Sequence, residues 1–267
     1  MNDRPRFSSA SSVAVLLLAI LGLSSPVTLV CGRAAAQNVG DTAPEAEVIF
    51  EKYIEALGGR ENLENVTSRF LTGNMVIMSR NGDETRALVT VTYAAPSKLR
   101  QEILAPGTFE QTLICNGENA WRNSGDGWTA IEGEQLVTVI DTADFNTYYA
   151  IGYQERYKEI AETRWDRVRG ETLAVVRATR QSGSTDLLYF DPNTNLLRAF
   201  RQVPTSPQPG VAVAEYWIDE YKEFDGVKVP VAMKVYSPAF DYTLEYKRVE
   251  LNPETSASDE FEAPPGL

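Results

Sequence analysis

The sequence predicts a mainly β fold with an N-terminal helix: an incomplete antiparallel β-barrel of about 10–11 strands wrapped around that helix. Three observations carry this expectation. Residues 42–66, TAPEAEVIFEKYIEALGGRENLENV, hold the one dominant amphipathic helical pattern. After Val66 the apolar period changes from helical to alternating, punctuated by Asn-Gly, Pro-Gly and Asp-Gly turns. The 267 residues are 43% hydrophobic, enough for a sizeable core, with no repeat or low-complexity segment to divide them. Antiparallel sheets of this size close or half-close, because open edges invite aggregation. The expected organisation is a signal peptide over residues 1–36 and a single domain over residues 37–267.

The leader begins with Arg4 and Arg6, continues through an apolar run at 13–23 and breaks at Ser24, Ser25 and Pro26. Ala34, Ala35 and Ala36 offer the small residues a signal peptidase reads, with Gln37 as the first mature residue. Two rivals are lipidation of Cys31 and retention of residues 13–30 as a membrane anchor. All three place the rest of the chain outside the cytoplasm, and the expected compartment is the periplasm.

In the helix, Ala46, Ile49, Phe50, Tyr53, Ile54 and Leu57 recur at three- and four-residue spacing, forming one apolar stripe. Thr42 and Glu45 have the spacing of a capping box, and Gly58-Gly59 can close the last turn. A second short helical turn follows. Strands are expected near 71–77, 85–93, 98–104, 109–115, 120–122 and 128–131, with turns at Asn81-Gly82, Pro106-Gly107, Asn116-Gly117 and Gly125–Gly127. Leu136, Val139, Ile140 and Ala143 have helical spacing, so 134–149 reads as a crossover helix. Strands resume at 157–169, 173–180, 185–190, 196–203, 211–224, 227–236 and 241–251. The run 227–236 alternates Val227, Val229, Val231, Met233 and Val235 with mostly polar residues, as a strand with one buried face does. The acidic, proline-rich tail at 256–267 is expected to lie along the barrel through Phe261.

Composition excludes several chemistries. The absence of histidine removes Ser-His-Asp and Cys-His catalysis and the commonest zinc ligand. The net charge is −12, becoming −14 once residues 1–36 are removed, which argues against nucleic acid and against adsorption to anionic lipid. Cys115 is then the lone mature cysteine and reads as a small core residue. Asp141, Asp144, Glu215, Asp219, Glu220 and Asp225 read as solvent-facing, without an activating partner for acid/base work. The stretch 191–195 has alternating oxygen-bearing residues but lacks the central Gly and terminal Glu of an EF-hand loop, so it reads as a plain turn. Neither a cofactor nor a metal is predicted.

Several segments together resemble the periplasmic lipoprotein-sorting carriers of the LolA/LolB type, in the divergent branch named outer-membrane lipoprotein-sorting proteins. They are YIEALGG at 53–59, APSKLR at 95–100, CNGENAW at 115–121 and FEAPPGL at 261–267. The resemblance runs from about residue 43 to the end and implies a half-barrel whose apolar cavity carries acyl chains. It implies lipid or lipoprotein acyl chains as partners, with an inner-membrane releasing complex or an outer-membrane acceptor. Where the well-studied carriers place an arginine that helps govern ligand release, just before the third-strand proline, this chain has Ala95. The resemblance therefore speaks for fold and lipid-type binding more than for lipoprotein shuttling.

The expected cavity-lining residues are Met75, Ile77, Val89, Val91, Leu99, Ile103, Leu113, Trp121 and Trp217; a filled core against the helix would have the same composition. The leading function is a non-enzymatic carrier. The alternatives are a periplasmic sensing or regulatory module of the same fold with a protein partner, like the regulators of envelope-stress anti-sigma factors, and a hydrolase using carboxylates or tyrosines.

Overall fold

The computed structural model describes residues 42–148, 151–161, 163–203, 205, 213–238, 240–254 and 258–265. The expected leader, Cys31 and most of the expected loop at 204–210 lie outside these. Two helices open the described chain, α1 (Ala46–Leu57) and α2 (Arg60–Glu64). Six strands follow as a meander: β1 (Ser68–Ser79), β2 (Glu84–Ala94), β3 (Lys98–Ala105), β4 (Phe109–Cys115), β5 (Ala120–Asn123) and β6 (Trp128–Ile131). After α3 (Gly133–Tyr148) and α4 (Tyr153–Arg156), a second meander begins with β7 (Tyr157–Ile160), β8 (Arg164–Val168) and β9 (Glu171–Arg180). It continues through β10 (Thr185–Phe190), β11 (Leu197–Val203), β12 (Glu215–Phe224), β13 (Val227–Tyr236) and β14 (Phe240–Leu251).

All fourteen strands belong to one antiparallel sheet, joined where β1 pairs with β14. β6 and β7 end the path without pairing to each other, so the wall stays open and α3 crosses from one free edge to the other. The count exceeds the expected 10–11, although the sequence already marks thirteen strand runs, the four-residue β5 and β6 among them. The run at 157–169, expected as one strand, is two, both laid along β9.

The helical stripe behaves as its spacing predicts. Ile49, Phe50, Tyr53, Ile54 and Leu57 are buried, packed with Ala174, Val176, Leu188 and Phe190 of β9 and β10. Phe50 stacks on Tyr153 at 4.4 Å and meets Phe190 edge-on at 5.9 Å. The expected capping box does not form. The helix starts at Ala46, and Glu45 is extended with no side-chain cap hydrogen bond. Pro44 disfavours helical geometry at Ala43, so the first turn cannot reach back to Thr42. The Pro44 carbonyl instead accepts from Thr163 Oγ1 at 2.5 Å.

The other end of α1 is pinned to the β12–β13 hairpin. Lys228 Nζ donates to the Ala56 carbonyl at 3.0 Å and Asn62 Nδ2 to the Gly58 carbonyl at 2.8 Å. Asp225 and Gly226 both have positive φ, giving the hairpin its two-residue turn. At Asn81-Gly82, by contrast, only the glycine does, and the connection is four residues long. Gly58 has φ 126°, and a Cβ there would lie 1.9 Å from the Gly226 carbonyl oxygen. Gly58→Ala is therefore expected to cost at least about 1–3 kcal/mol from backbone conformation alone. The contact with Gly226 adds to that. Urea denaturation checks it; an unchanged midpoint would refute this docking.

A second core lies beside the first. α3 covers β2 to β5 on the same concave face and buries Val139 and Ala143. Cys115 is fully buried in this core, and burial raises its thiol pKa. Behind the sheet, Phe261 is buried near β3, with Lys98 Nζ 5.8 Å from its ring centroid, as the tail's expected docking requires.

Candidate functional site

A cavity opens on the concave face between the two cores. Leu71 and Met75 of β1, Val229 and Met233 of β13, and Leu244 of β14 supply its apolar wall. Tyr93 of β2, Phe200 of β11, Tyr216 of β12, and Tyr242 and Tyr246 of β14 supply an aromatic one. Gln101 of β3, Thr142 of α3 and Gln202 of β11 are its uncharged polar groups, and Pro230 completes the rim. Its volume is about 80 Å³, below the roughly 300–1,000 Å³ of drug-sized ligand pockets, so the space is a narrow slot.

Strand alternation places these side chains. In β1, residues 69, 71, 75 and 77 share one face. Gly73, between Leu71 and Met75, sits at a register shift against β14, where a Cβ would come within 2.2 Å of the Glu245 carbonyl oxygen. That glycine lets β14 approach closely and presents Tyr246 and Leu244 to the slot.

The slot contains one charged side chain, Arg69, and no carboxylate among the described lining residues. Burial lowers the Arg69 pKa, and Tyr93 and Tyr53 are the titratable groups that act on it. Burial holds four tyrosines in and beside the slot protonated. Burial pushes Tyr53 and Tyr216 up to about 12, and Tyr242 and Tyr246 well above the ordinary 10.0. Tyr216 shares a hydrogen bond with Tyr242 and stacks on Phe200 at 4.5 Å. The site is a hydrocarbon-compatible slot with hydroxyl and amide donors and one cation.

Of the residues expected to line a cavity, Met75 does. Ile77, Val89, Val91, Leu99, Ile103 and Leu113 lie in the packed core beneath α3. Trp121 pairs with Ile114 on the face opposite Leu113 and Cys115. Trp217 points away from Tyr216 and joins Leu173, Val175, Tyr189 and Ala199 behind the sheet. There the Arg169 and Arg198 guanidinium carbons lie 5.6 and 5.2 Å from its ring centroid. Arg69 is not among the residues the sequence selects; it stands in phase with Leu71, Met75 and Ile77, and that alternation marks its face without saying that the face turns inward.

Three carboxylates expected to face solvent are instead ties within the structure. Glu215 is buried and accepts from Trp217 Nε1 at 2.6 Å, Arg169 Nε at 2.9 Å and Arg201 Nε at 2.8 Å. Burial alone would raise its pKa, but these hydrogen bonds hold it below the ordinary value. Asp141 and Asp144, on α3, hold that helix to the β9–β10 hairpin and α4. Arg180 Nη1 donates to the Asp141 carbonyl at 3.0 Å, and the Ser182 and Ser184 hydroxyls donate to its carboxylate at 2.8 and 2.6 Å. Arg156 Nε donates to Asp144 at 2.9 Å. At the centre, the Arg180 Nε and the Tyr157 hydroxyl both donate to Asp186 Oδ2 at 2.8 Å. This network sets the position of Thr142 at the slot. The carboxylates of Asp219, Glu220 and Asp225 belong to exposed residues, as expected. Both Asp191 oxygens accept hydrogen bonds within its own turn.

The architecture recurs among solved structures. A LolA superfamily protein from Nitrosomonas europaea matches with a TM-score of 0.56 at 13% identity, over 83% of this chain and 99% of its own. A DUF1329 family protein from Desulfovibrio piger matches with a TM-score of 0.55 at 10% identity, over 82% and 98%. A candidate outer membrane lipoprotein-sorting protein domain from Vibrio parahaemolyticus matches with a TM-score of 0.51 at 10% identity, over 79% and 97%. No protein-family model matches the sequence, and no curated protein does. At these identities the likeness is one of fold: this is a LolA-like incomplete barrel.

Proposed function

We propose, with the LolA-like half-barrel as premise, that this chain is a non-enzymatic exported carrier that shelters the hydrocarbon of lipids or lipoproteins. The observation that carries this reading is the narrow slot walled by Leu71, Met75, Val229, Met233 and Leu244 between two filled cores. Hydrocarbon offers nothing to hydrogen-bond, so an apolar wall is what it requires. Each methylene moved from water into the slot contributes about 0.8 kcal/mol, so even one acyl chain can be retained. The compartment in this reading is the periplasm, and the partners are acyl chains together with the membrane components that load and unload them.

The test is lipid extraction and mass spectrometry on the full chain, expressed with its leader and purified without detergent. Wild-type protein is expected to carry lipid, and Met233→Trp, which fills the slot from β13, to carry several-fold less at unchanged circular dichroism. Wild-type protein that carries no lipid and recovers only a membrane protein would overturn the carrier reading in favour of a regulatory module.

A further inference from the structure

Arg69 has no evident role in sheltering plain hydrocarbon. A guanidinium is costly to bury, and an apolar residue at this position of β1 would extend the wall begun by Leu71 and Met75. The chain as a whole is strongly acidic, yet the charge at the slot is positive. Tyr93, its cross-strand partner on β2, lines the slot with it. Gln101, on the neighbouring strand, adds an amide. One cation in a slot whose other described polar groups are uncharged is an arrangement an anion recognises.

Resting on the carrier reading, we propose that the slot takes an amphiphile with a carboxylate head, a long-chain fatty acid, whose carboxylate pairs with Arg69 while its tail runs along Leu71, Met75 and Leu244. The single cation selects the head. A carboxylate carries one charge and matches the guanidinium fork in two parallel hydrogen bonds. A phosphate monoester carries about 1.5 to 2 charges at neutral pH and would leave part of its charge buried and unmatched. Tyr216, Tyr242 and Tyr246 stay protonated at neutral pH, so the slot holds no tyrosinate among these three to compete with the head.

The experiment is titration calorimetry on the full chain stripped of lipid, with four probes of equal tail length: hexadecanoic acid, methyl hexadecanoate, hexadecanol and hexadecyl phosphate. Wild-type protein is expected to bind the acid about tenfold or more tighter than the ester and the alcohol, and tighter than the phosphate. Arg69→Met is expected to abolish that preference while still binding the ester; Arg69→Lys is expected to keep part of it. Equal binding of acid and ester by wild-type protein overturns the head-group assignment and leaves the carrier reading standing. So does tighter binding of the phosphate. A preference for acid that survives in Arg69→Met overturns the role of Arg69. If none of the four probes binds, the carrier reading fails and this inference fails with it. The wild-type comparison needs no variant to fold.

Discussion

Arg180→Met is expected to lower the free energy of unfolding by about 3–5 kcal/mol, the range for breaking a buried ion pair from one side. Arg180 and Asp186 are among the least exposed side chains of the fold, at 2% and 1%. The methionine removes the cation that compensates the Asp186 carboxylate and leaves Tyr157 as its remaining hydrogen-bond donor. It also removes the donor to the Asp141 carbonyl, so α3 loses part of its tie to the β9–β10 hairpin. Urea denaturation measures the effect; a loss under about 1 kcal/mol would show that the network contributes little. The double variant Arg180→Met/Asp186→Leu is expected to recover much of the loss, because a buried pair replaced whole by apolar groups is often near neutral. The pH dependence has a definite sign. Burial raises the Asp186 carboxyl above its ordinary 3.8, so the folded chain holds that proton more tightly than the unfolded one. Arg180 holds that raised value down, so in Arg180→Met the carboxyl lies higher still; the loss is therefore expected to be largest above the variant's value and to shrink as pH falls from there to the wild type's.

Phe50→Ala is expected to cost a similar amount, about 3–5 kcal/mol. Phe50 is fully buried and sits between α1 and the sheet, in ring contact with Tyr153, Tyr157 and Phe190. Its removal leaves a void bounded by the helix on one side and by β10 on the other. Rigid aromatic neighbours on strands cannot collapse into that space, so the upper half of the range is expected. Chemical denaturation checks the magnitude. Bound-lipid content checks the consequence: α1 forms the core beside the slot rather than its lining, so lipid per folded molecule should change little. A variant as stable as the wild type would show that α1 is not packed as described.

The parts of this fold that could be read from the residues were those governed by local rules. The α1 stripe, the α3 crossover, the Asp225-Gly226 hairpin and the alternation of β13 each depend on neighbours a few residues away. The start of α1 departs from the spacing of Thr42 and Glu45 because Pro44 overrides it. The run at 157–169 reads as one strand but forms two, both paired with β9.

The slot was less legible, and Trp121 and Trp217 show why. Alternation separates the two faces of a strand but does not say which one turns inward. Both faces of β12 are buried near residue 217, since Tyr216 and Ile218 meet the concave side while Trp217 is covered from behind by arginines. Hydrophobicity therefore carries no direction there. Arg69 is the opposite case: its phase with Leu71 and Met75 was visible, but its inward placement depended on β1 joining β2 and β14.

The sequence by itself determined that one helix meets a long antiparallel meander, that histidine chemistry is absent, and that Cys115 is a core residue. Those follow from local periodicity and composition. The tertiary structure alone decided that α3 crosses between the sheet's two free edges, that Asp141, Asp144 and Glu215 are ties rather than free carboxylates, and that a single cation lies in the slot. These depend on pairings between residues far apart in the chain, such as Arg69 with Leu251 and Arg180 with Asp141, which no local pattern encodes.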